Sequence, residues 1–532
     1  MNVRDIEIPY EKDRGRRYRF FEQLPGIVTW SIFILPFIVS FIAPHVFVFI
    51  TFLYTLLWVV KSMGMLVRNF QGLHRLDTYQ KLDWRAMMND LQTGVIPTGR
   101  KAPSWHADNL KRVGDIKPND VYQAIIIAAY NETREVLEPT IQSVLESDYD
   151  MKKVILVLAY EGRDGAQSEK AVLALTKEYG DKFAHALAVK HPFNPKEVRG
   201  KGGNITYAAR ELERYLTEKR IDPMQVVVTT LDSDNRPHPG YLAALAYLYV
   251  VCPDPLHSSF QPIPIYTNNI WDVPAPMRVI ATGNSFWNIV LSMRPHMIRN
   301  FSSHAQGMAA LIQTDYWSVR TVVEDGHQFW RTYFRFDGQH EVYPLYVPIY
   351  QDAVFSSSYI KTLKMQFIQL RRWAWGASDI SYVIDKGFYT KNKVPRRDLW
   401  MKLARLFEGH ISWSTAPLIL LFAGYIPSLI HPKDFSSTQL PIIASRIQTV
   451  AMVGILATLY LSLKTLPPRP ERYKRHRRLY MVAQWVLLPF TTILYNAMAA
   501  INAQTRLMFG WYLDKFDVTD KATKTEDNKT VI

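Results

Sequence analysis

Long apolar runs at the two ends of this chain alternate with a charged middle. Four stretches contain no Asp, Glu, Lys or Arg, namely residues 27–60, 409–430, 447–463 and 479–505. A continuous helix over the first would be about 51 Å long, well beyond the roughly 30 Å of bilayer hydrocarbon, and Pro44 interrupts it. We therefore predict two transmembrane helices within residues 27–66 and three or more within residues 406–505. The sequence leaves open whether the last run bends back at Pro489.

Basic residues predict the orientation of these spans. Lys and Arg accumulate on the cytoplasmic side of membrane helices, and they are frequent in the N-terminal segment 1–26 and in residues 464–478. The long block 67–405 is then cytoplasmic, and the predicted location is the plasma (inner) membrane, with residues 506–532 as a C-terminal tail. We attribute the net charge of +15 to the basic residues of these flanks, which are expected to contact membrane lipids. Nucleic-acid binding is therefore not expected. The single cysteine excludes an intrachain disulfide framework.

Strand and helix patterns alternate through the cytoplasmic block. Uncharged strands are indicated at 123–129 and 226–231, with further strands at 153–158 and 186–189 and helices between them. This alternation predicts an α/β fold with a mainly parallel sheet, helices on both faces and ligands at the carboxyl ends of the strands.

Two aspartates, Asp232 and Asp234, follow the uncharged strand 226–231. Two carboxylates at a strand end suit a divalent cation such as Mg²⁺ or Mn²⁺ and leave coordination positions for phosphate oxygens. An ordinary turn explains the same residues, because Asp, Asn and Pro are all common in turns. The pair taken alone leaves both interpretations open.

Two further motifs add charge to this predicted site. The sequence GKGGN at 200–204 opens a helix, where free amides and Lys201 would bind phosphate; a glycine turn with a solvated lysine is the alternative. Glu324 and Asp325 follow a β-branched run. A carboxylate there would accept a proton from an attacking hydroxyl, whereas acids that stabilise a helix N-terminus are the alternative.

The sequence QLRRW at 369–373 places Gln369, Arg372 and Trp373 on one face of a predicted helix. An amide, a guanidinium and an indole suit a diphosphate and a sugar ring. An amphipathic helix anchored at the membrane surface is the alternative, and the two interpretations are compatible.

The motifs AAYNE (128–132), GKGGN, DSD (232–234), ED (324–325) and QLRRW, in this order between membrane helices, resemble family 2 glycosyltransferases of the cellulose synthase and hyaluronan synthase type. The resemblance implies a GT-A fold, an inverting mechanism and a nucleotide-sugar donor, with UDP as the default nucleotide. It implies Asp325 as the general base beside Glu324, and Asp232 and Asp234 as ligands of Mg²⁺ or Mn²⁺. The other residues it places at the substrate are Tyr130, Glu132, Lys201, Gln369, Arg372 and Trp373.

One departure concerns the nucleotide base. Where such enzymes commonly carry an acidic pair after the second strand, this chain has VLAYEGRDG, which leaves Glu161 or Asp164 as substitutes. The segment 259–276 is predicted to be a loop, either on the acceptor side or simply at the surface.

The predicted acceptor is a growing polysaccharide or a glycolipid. Two alternative functions stay open: a non-processive transferase acting on a lipid carrier, and a non-catalytic subunit for polysaccharide binding or transport.

Overall fold

A sheet of eight strands with mixed directions lies at the centre of block 67–405. The computed structural model describes residues 6–162, 166–513, 523–524 and 530–531. The strands of the sheet are β1 (Tyr122–Ala129), β2 (Val154–Glu161), β3 (His185–His191), β4 (Val226–Asp232), β5 (Arg236–Pro237), β6 (Ser258–Tyr266), β7 (Ala305–Gly307) and β8 (Glu341–Gln351). Their order is β3-β2-β1-β4-β7-β6-β8-β5. Near the C-terminus, β9 (Thr523–Lys524) pairs antiparallel with β10 (Thr530–Val531).

Long apolar helices lie toward both ends of the chain, and shorter helices lie between them. They are α1 (Arg16–Ile42), α2 (Pro44–Gln80), α3 (Trp84–Thr93), α4 (Ser104–Leu110), α5 (Arg134–Leu145), α6 (Ala166–Tyr179), α7 (Lys201–Lys219), α8 (Tyr241–Val251), α9 (Ala275–Ser292), α10 (Met308–Gln313), α11 (Glu324–Arg335), α12 (Tyr359–Ala374), α13 (Asp379–Ile384), α14 (Arg396–Phe422), α15 (Ile426–Ile430), α16 (Phe435–Thr465), α17 (Arg477–Ala483), α18 (Leu488–Thr491) and α19 (Met498–Phe509).

Half of the sheet is parallel, as the sequence predicts, and half is not. Strands β3, β2, β1 and β4 are parallel neighbours. The prediction of a mainly parallel sheet is wrong for the other half, because β7 runs antiparallel to both β4 and β6, and β5 runs antiparallel to β8. Ser303, just before β7, is hydrogen-bonded to Asn235, just after β4. The chain therefore enters β7 from the edge where β4 ends and runs back along it.

Alternation along β1 explains why helices cover both faces. Ile125 and Ile127 are buried in a core that includes residues of α5 and α8, whereas Ala124 and Ile126 are buried in a second core that includes residues of α7. Complete burial of an Ile side chain contributes about 1.5–3 kcal/mol. The two cores hold the carboxyl ends of the parallel strands at one edge.

The predicted loop 259–276 is partly wrong, because its first part is the buried strand β6. Its prolines are tolerated because β6 pairs with β7 only at Ser259 and Phe260, so later residues have a single strand partner on the β8 side. The remainder is also not a surface loop, since Trp271 is 4% exposed and Val273 is fully buried.

The described residues include four helices that are long and apolar enough to cross a membrane: Arg16–Ile42, Pro44–Gln80, Arg396–Ile430 and Arg477–Phe509. The first two meet at the break predicted at Pro44. The predicted span 447–463 lies within α16, which continues unbroken to Thr465.

The last of these runs, Arg477–Phe509, contacts block 67–405 along its length. Arg477 Nη2 donates to Trp271 O (2.8 Å), and Arg278 Nε donates to Gln484 Oε1 (2.5 Å). Further along, Ala500, Ala503 and Leu507 pack with Val322 and Val323. At the far end, Arg19 Nη2 donates to Met508 O (2.7 Å). Both ends of the run thus lie beside segments that the basic residues predict to be cytoplasmic.

We therefore expect the C-terminus to lie on the same side of the membrane as the N-terminus. A green fluorescent protein fused after Ile532 should fluoresce, whereas alkaline phosphatase fused there should be inactive, because the former folds in the cytoplasm and the latter outside it. Fusions in the loop 431–434 provide the control and should give the reverse pattern. An active phosphatase at the C-terminus would mean that Arg477–Phe509 crosses the membrane.

Candidate functional site

The two aspartates of the DSD motif lie at the carboxyl edge of the sheet, beside the first residue of α7. Asp232 ends β4, and Lys201 Nζ lies 2.8 Å from its Oδ1. The Lys201 side chain is 9% exposed, whereas that of Asp232 is 38% exposed. Burial lowers the pKa of Lys201, but the negative charges of Asp232 and then Glu324 outweigh burial, so the pKa is raised overall. Lys201 is therefore a buried cation among carboxylates.

Close packing fixes the start of α7 at this edge. Asn204 Nδ2 donates to Ala129 O (3.2 Å) and to Ala159 O (3.1 Å), at the ends of β1 and β2. A Cβ atom added to Gly202 would lie 2.4 Å from Ser318 O. Gly202 of the GKGGN motif thus permits a close approach between α7 and the segment that leads into α11.

Replacing Gly202 with alanine should destabilise the protein, because neither backbone can yield without moving Lys201 or the segment before α11. Overpacking of this kind costs about 1–3 kcal/mol. Gly283→Ala in α9 is the matched control: its Cβ would meet nothing within 4 Å. We expect the control to be neutral or stabilising by up to about 1 kcal/mol, because alanine favours helix. The measurement is the thermal unfolding midpoint of each detergent-purified variant. Equal midpoints for Gly202→Ala and Gly283→Ala would refute the packing explanation.

Glu324 and Asp325 form the first turn of α11, where helix N-terminal acids are also expected. Ser302 N–H donates to Asp325 Oδ2 (2.6 Å), and Gly326 N–H donates to Oδ1 (2.7 Å). Ser302 adopts a left-handed backbone conformation with φ of 47°. Such a conformation is uncommon for serine and often occurs at functional sites. This strained turn directs its amide at Asp325.

Burial raises the pKa of both acids. For Asp325, Lys201 and the two backbone amides oppose this effect, and the pKa is still raised. For Glu324, the negative charge of Asp325 adds to burial, whereas Lys201 and Arg372 oppose it. Raised pKa values are typical of groups that accept protons near neutral pH.

Tyr266, the last residue of β6, connects the separate motifs. Burial raises the pKa of its phenol, followed by the negative charges of Asp232, Asp234 and Asp325, whereas Arg372 lowers it. Its ring centroid lies 6.4 Å from that of Trp373. The DSD, ED and QLRRW motifs therefore meet around one tyrosine.

The QLRRW residues belong to α12, as predicted. Gln369, Arg372 and Trp373 are half-buried, and Gln366 Nε2 donates to Gln369 Oε1 (3.1 Å). Leu370 packs in a cluster with Met481 and Ala499 of the last helical run. The helix thus has one side toward the site and another toward the apolar C-terminal helices.

Glu132 connects the ends of β1 and β4. Its Oε2 accepts from Tyr130 N–H (2.5 Å), and its Oε1 accepts from Ser233 Oγ (2.9 Å). The AAYNE motif therefore shapes the same edge of the sheet, directly beside Asp232.

Glu161 lies at the end of β2 in a buried cluster with His191. His191 Nδ1 lies 3.7 Å from Glu161 Oε2, and His191 Nε2 lies 3.0 Å from Glu197 Oε2. Burial lowers the pKa of His191, but the two glutamates outweigh it and raise the pKa to about 9. Glu161 is therefore paired with an imidazolium. Asp164, the alternative candidate, lies outside the described residues.

Three residues of this site lack a sequence signal that would identify them: Tyr266, Asn268 and Ser302. Asn268 Nδ2 donates to Asp234 O (3.0 Å), and Asp352 N–H donates to Asp234 Oδ2 (3.3 Å). These contacts orient Asp234.

The donor set at this edge fits a hard divalent cation. Asp232 and Asp234 supply carboxylate oxygens, the ligand type that Mg²⁺ and Mn²⁺ prefer. Among the described residues, no group of three or more His, Cys, Asp or Glu side chains is arranged to hold a metal. A cation here would need further ligands from water or a bound phosphate, which is usual for Mg²⁺.

No protein-family model matches the chain, and no curated protein matches it. Among solved structures, it is similar to the mannosyltransferase PcManGT from Pyrobaculum calidifontis, in complex with GDP-Man and Mn²⁺. The identity is 15%, the match covers 82% of this chain and 99% of that chain, and the TM-score is 0.37. It is also similar to S. aureus TarS 1–349 in complex with UDP-GlcNAc, at 11% identity, 76% and 95% coverage and a TM-score of 0.36. These neighbours are glycosyltransferases, but TM-scores below 0.5 do not establish a shared fold.

Proposed function

We propose that this protein is an inverting, membrane-embedded glycosyltransferase that moves a sugar from a nucleotide-sugar donor to a polysaccharide or glycolipid acceptor. The observation that carries the proposal is that Asp232, Asp234, Asp325 and Arg372 meet around Tyr266, beside the apolar C-terminal helices, while Lys201 pairs with Asp232 at 2.8 Å. Two cationic side chains, together with a pair of carboxylates of the type that binds a metal, suit a diphosphate. A separate carboxylate of raised pKa suits a hydroxyl group that must lose its proton.

The donor diphosphate would lie between Lys201 and Arg372, whose charges offset the charge that develops on it as it leaves. Asp232 and Asp234 would hold Mg²⁺ or Mn²⁺, which when bound neutralises diphosphate charge. Tyr130, Glu132 and Glu161 would border the nucleoside at the ends of β1 and β2. Because Glu161 is paired with His191, we expect it to act on the base through this cluster, with UDP as the default nucleotide.

Asp325 would act as the general base. As the acceptor oxygen forms its bond to the anomeric carbon, the bond from that carbon to the diphosphate oxygen breaks, and the hydroxyl proton passes to Asp325. One displacement inverts the anomeric configuration. The amides of Ser302 and Gly326 fix the carboxylate, and burial keeps its proton affinity high.

The acceptor sugar would lie against Trp373, because aromatic rings bind the apolar faces of sugars and Tyr266 packs beside this indole. Gln369 would add a hydrogen-bonding amide. Since α12 packs against the C-terminal helices, this position would lie near the membrane, which suits an acceptor that is a membrane-bound glycan or glycolipid.

Release of nucleoside diphosphate by the detergent-purified protein tests the proposal. We expect turnover of one donor from a panel of UDP- and GDP-sugars, supported by Mn²⁺ or Mg²⁺ and abolished by EDTA. Membrane lipids and oligosaccharides are supplied as acceptors in separate reactions. Absence of turnover with every donor and acceptor would contradict the proposal and favour a binding or transport role.

A further inference from the structure

Residues 6–10, here called the N-terminal strap, precede the first long apolar helix and pack into block 67–405 against α11. Ile6 is fully buried and Ile8 is 6% exposed. The backbone of this strap is bonded on both sides of Glu7: Tyr382 Oη donates to Ile6 O (2.6 Å), and Arg320 Nη1 donates to Ile8 O (2.8 Å). An N-terminal segment is usually mobile unless it is tied down in this way.

Glu7 is the centre of the attachment. Its Oε2 accepts from Arg331 Nη1 (2.5 Å), and its Oε1 accepts from Ser318 Oγ (2.6 Å). The Arg331 side chain is only 1% exposed, and its Nη2 also donates to Thr314 O (2.6 Å). Burial alone would raise the pKa of Glu7, but Arg331 and Ser318 outweigh it and lower the pKa. Glu7 is therefore a charged partner of a buried arginine.

Both partners of Glu7 belong to segments that place site residues. Arg331 lies two turns along α11 from Glu324, on the same side of the helix. Ser318 provides the carbonyl oxygen against which Gly202 packs, next to Lys201. One carboxylate thus joins the helix that carries the acid pair to the segment that fixes the buried lysine.

The strap is also joined to the membrane helices. Arg14 Nε donates to Pro9 O (3.2 Å), and Arg14 Nη1 donates to Glu22 Oε1 of α1 (2.9 Å). Tyr512, just after the last helical run, donates through its hydroxyl to Glu22 Oε2 (2.7 Å). The segment that holds α11 is therefore continuous with the membrane anchor.

We propose that Glu7 is a positioning residue: it holds α11 and the segment before it so that Asp325 and Lys201 face the same substrate. This inference rests on the proposed function. Glu7 itself touches no group of the site and acts through Arg331 and Ser318.

Glu7→Gln in the full-length protein tests this. We expect kcat to fall about tenfold while the donor KM changes by less than about twofold, because only the placement of reacting groups is lost. Backbone deuterium uptake should rise in residues 318–335, since local opening becomes easier. Glu7→Asp, which retains the charge, should recover part of kcat. Glu11→Gln is the matched control, because Glu11 is an exposed acid directly after the strap.

A second variant covers the case in which Glu7→Gln does not fold, since an unpaired buried charge is strongly destabilising. Glu7→Gln combined with Arg331→Met removes that charge and should be folded but still slow. Wild-type kcat in either variant would overturn the positioning role, and so would unchanged deuterium uptake in residues 318–335. If the wild type itself releases no nucleoside diphosphate, the proposed function fails. If the wild type turns over and the Glu7 variants are unaffected, only the positioning role of Glu7 fails.

Discussion

Asp325→Asn should reduce kcat by about 10³-fold, which is within the range that general-base catalysis contributes. Asparagine preserves the shape of the side chain and its bond from the Ser302 amide, but its amide nitrogen cannot accept the hydroxyl proton. Donor binding, measured by titration with nucleoside diphosphate, should change by less than about twofold, because Asp325 acts on the acceptor.

The pH dependence gives a second test of Asp325. Its pKa is raised by burial, and only the deprotonated form accepts a proton. The kcat of the wild type should therefore rise with pH through this raised pKa, and the rise should be absent from the residual activity of Asp325→Asn.

Asp315→Asn is the control for this variant. It sits at φ of 52°, which asparagine tolerates, and its carboxylate is exposed beside Arg210. The control should keep wild-type kcat. A variant at position 325 that retains more than about a tenth of wild-type kcat would exclude Asp325 as the base.

Asp234→Asn should lower kcat/KM by about 10²–10³-fold, equivalent to about 3–4 kcal/mol of transition-state stabilisation. The change removes one of the two carboxylates proposed to hold the cation. The hydrogen bonds that residue 234 accepts can persist, namely that from Asn268 to its main-chain oxygen and that from the Asp352 amide to its side-chain oxygen. The measurements are Mn²⁺ affinity in the presence of nucleoside diphosphate and turnover at increasing Mn²⁺. Partial recovery is expected at high Mn²⁺.

Asp108→Asn, an exposed acid of α4, controls for a general effect of lost charge. It should leave both the Mn²⁺ affinity and kcat/KM unchanged. Wild-type dependence on Mn²⁺ in Asp234→Asn would mean that the cation is held elsewhere.

Much of the parallel half of the fold is predictable from the sequence. Strands β1 to β4 and helices α5 to α7 are local patterns with clear hydrophobic periods, so their positions agree with the structure to within a few residues. Polar residues directly after these strands, such as Asp232, then lie at one edge because parallel strands end together.

The mixed half could not be predicted in the same way. Strand β7 has only three residues, and β6 contains prolines that are typical of loops, so neither has a recognisable strand pattern. Their places are determined by tertiary contacts, such as that between Ser303 and Asn235. Tyr266 and Ser302 enter the site only through these strands, which is why the sequence does not identify them.

The N-terminal strap was also beyond prediction. Residues 6–10 contain two isoleucines and one glutamate, a pattern common to exposed termini. Only the packing of Ile6 and Ile8 and the buried Arg331 show that the segment belongs to the core behind α11. The long run Arg477–Phe509 is similar in this respect, because its composition suits a membrane span whereas its contacts favour packing along the domain.

Transfer of a radiolabelled sugar from the nucleotide donor to an acceptor tests the central claim most directly. The wild-type protein in lipid nanodiscs should produce a labelled glycan or glycolipid in amounts equal to the nucleoside diphosphate released, in the presence of Mn²⁺ or Mg²⁺. Asp325→Asn, matched for folded protein, should produce none. If the label is recovered only as free sugar, or if no donor is consumed with any acceptor, then the meeting of charges around Tyr266 does not form a glycosyltransferase site.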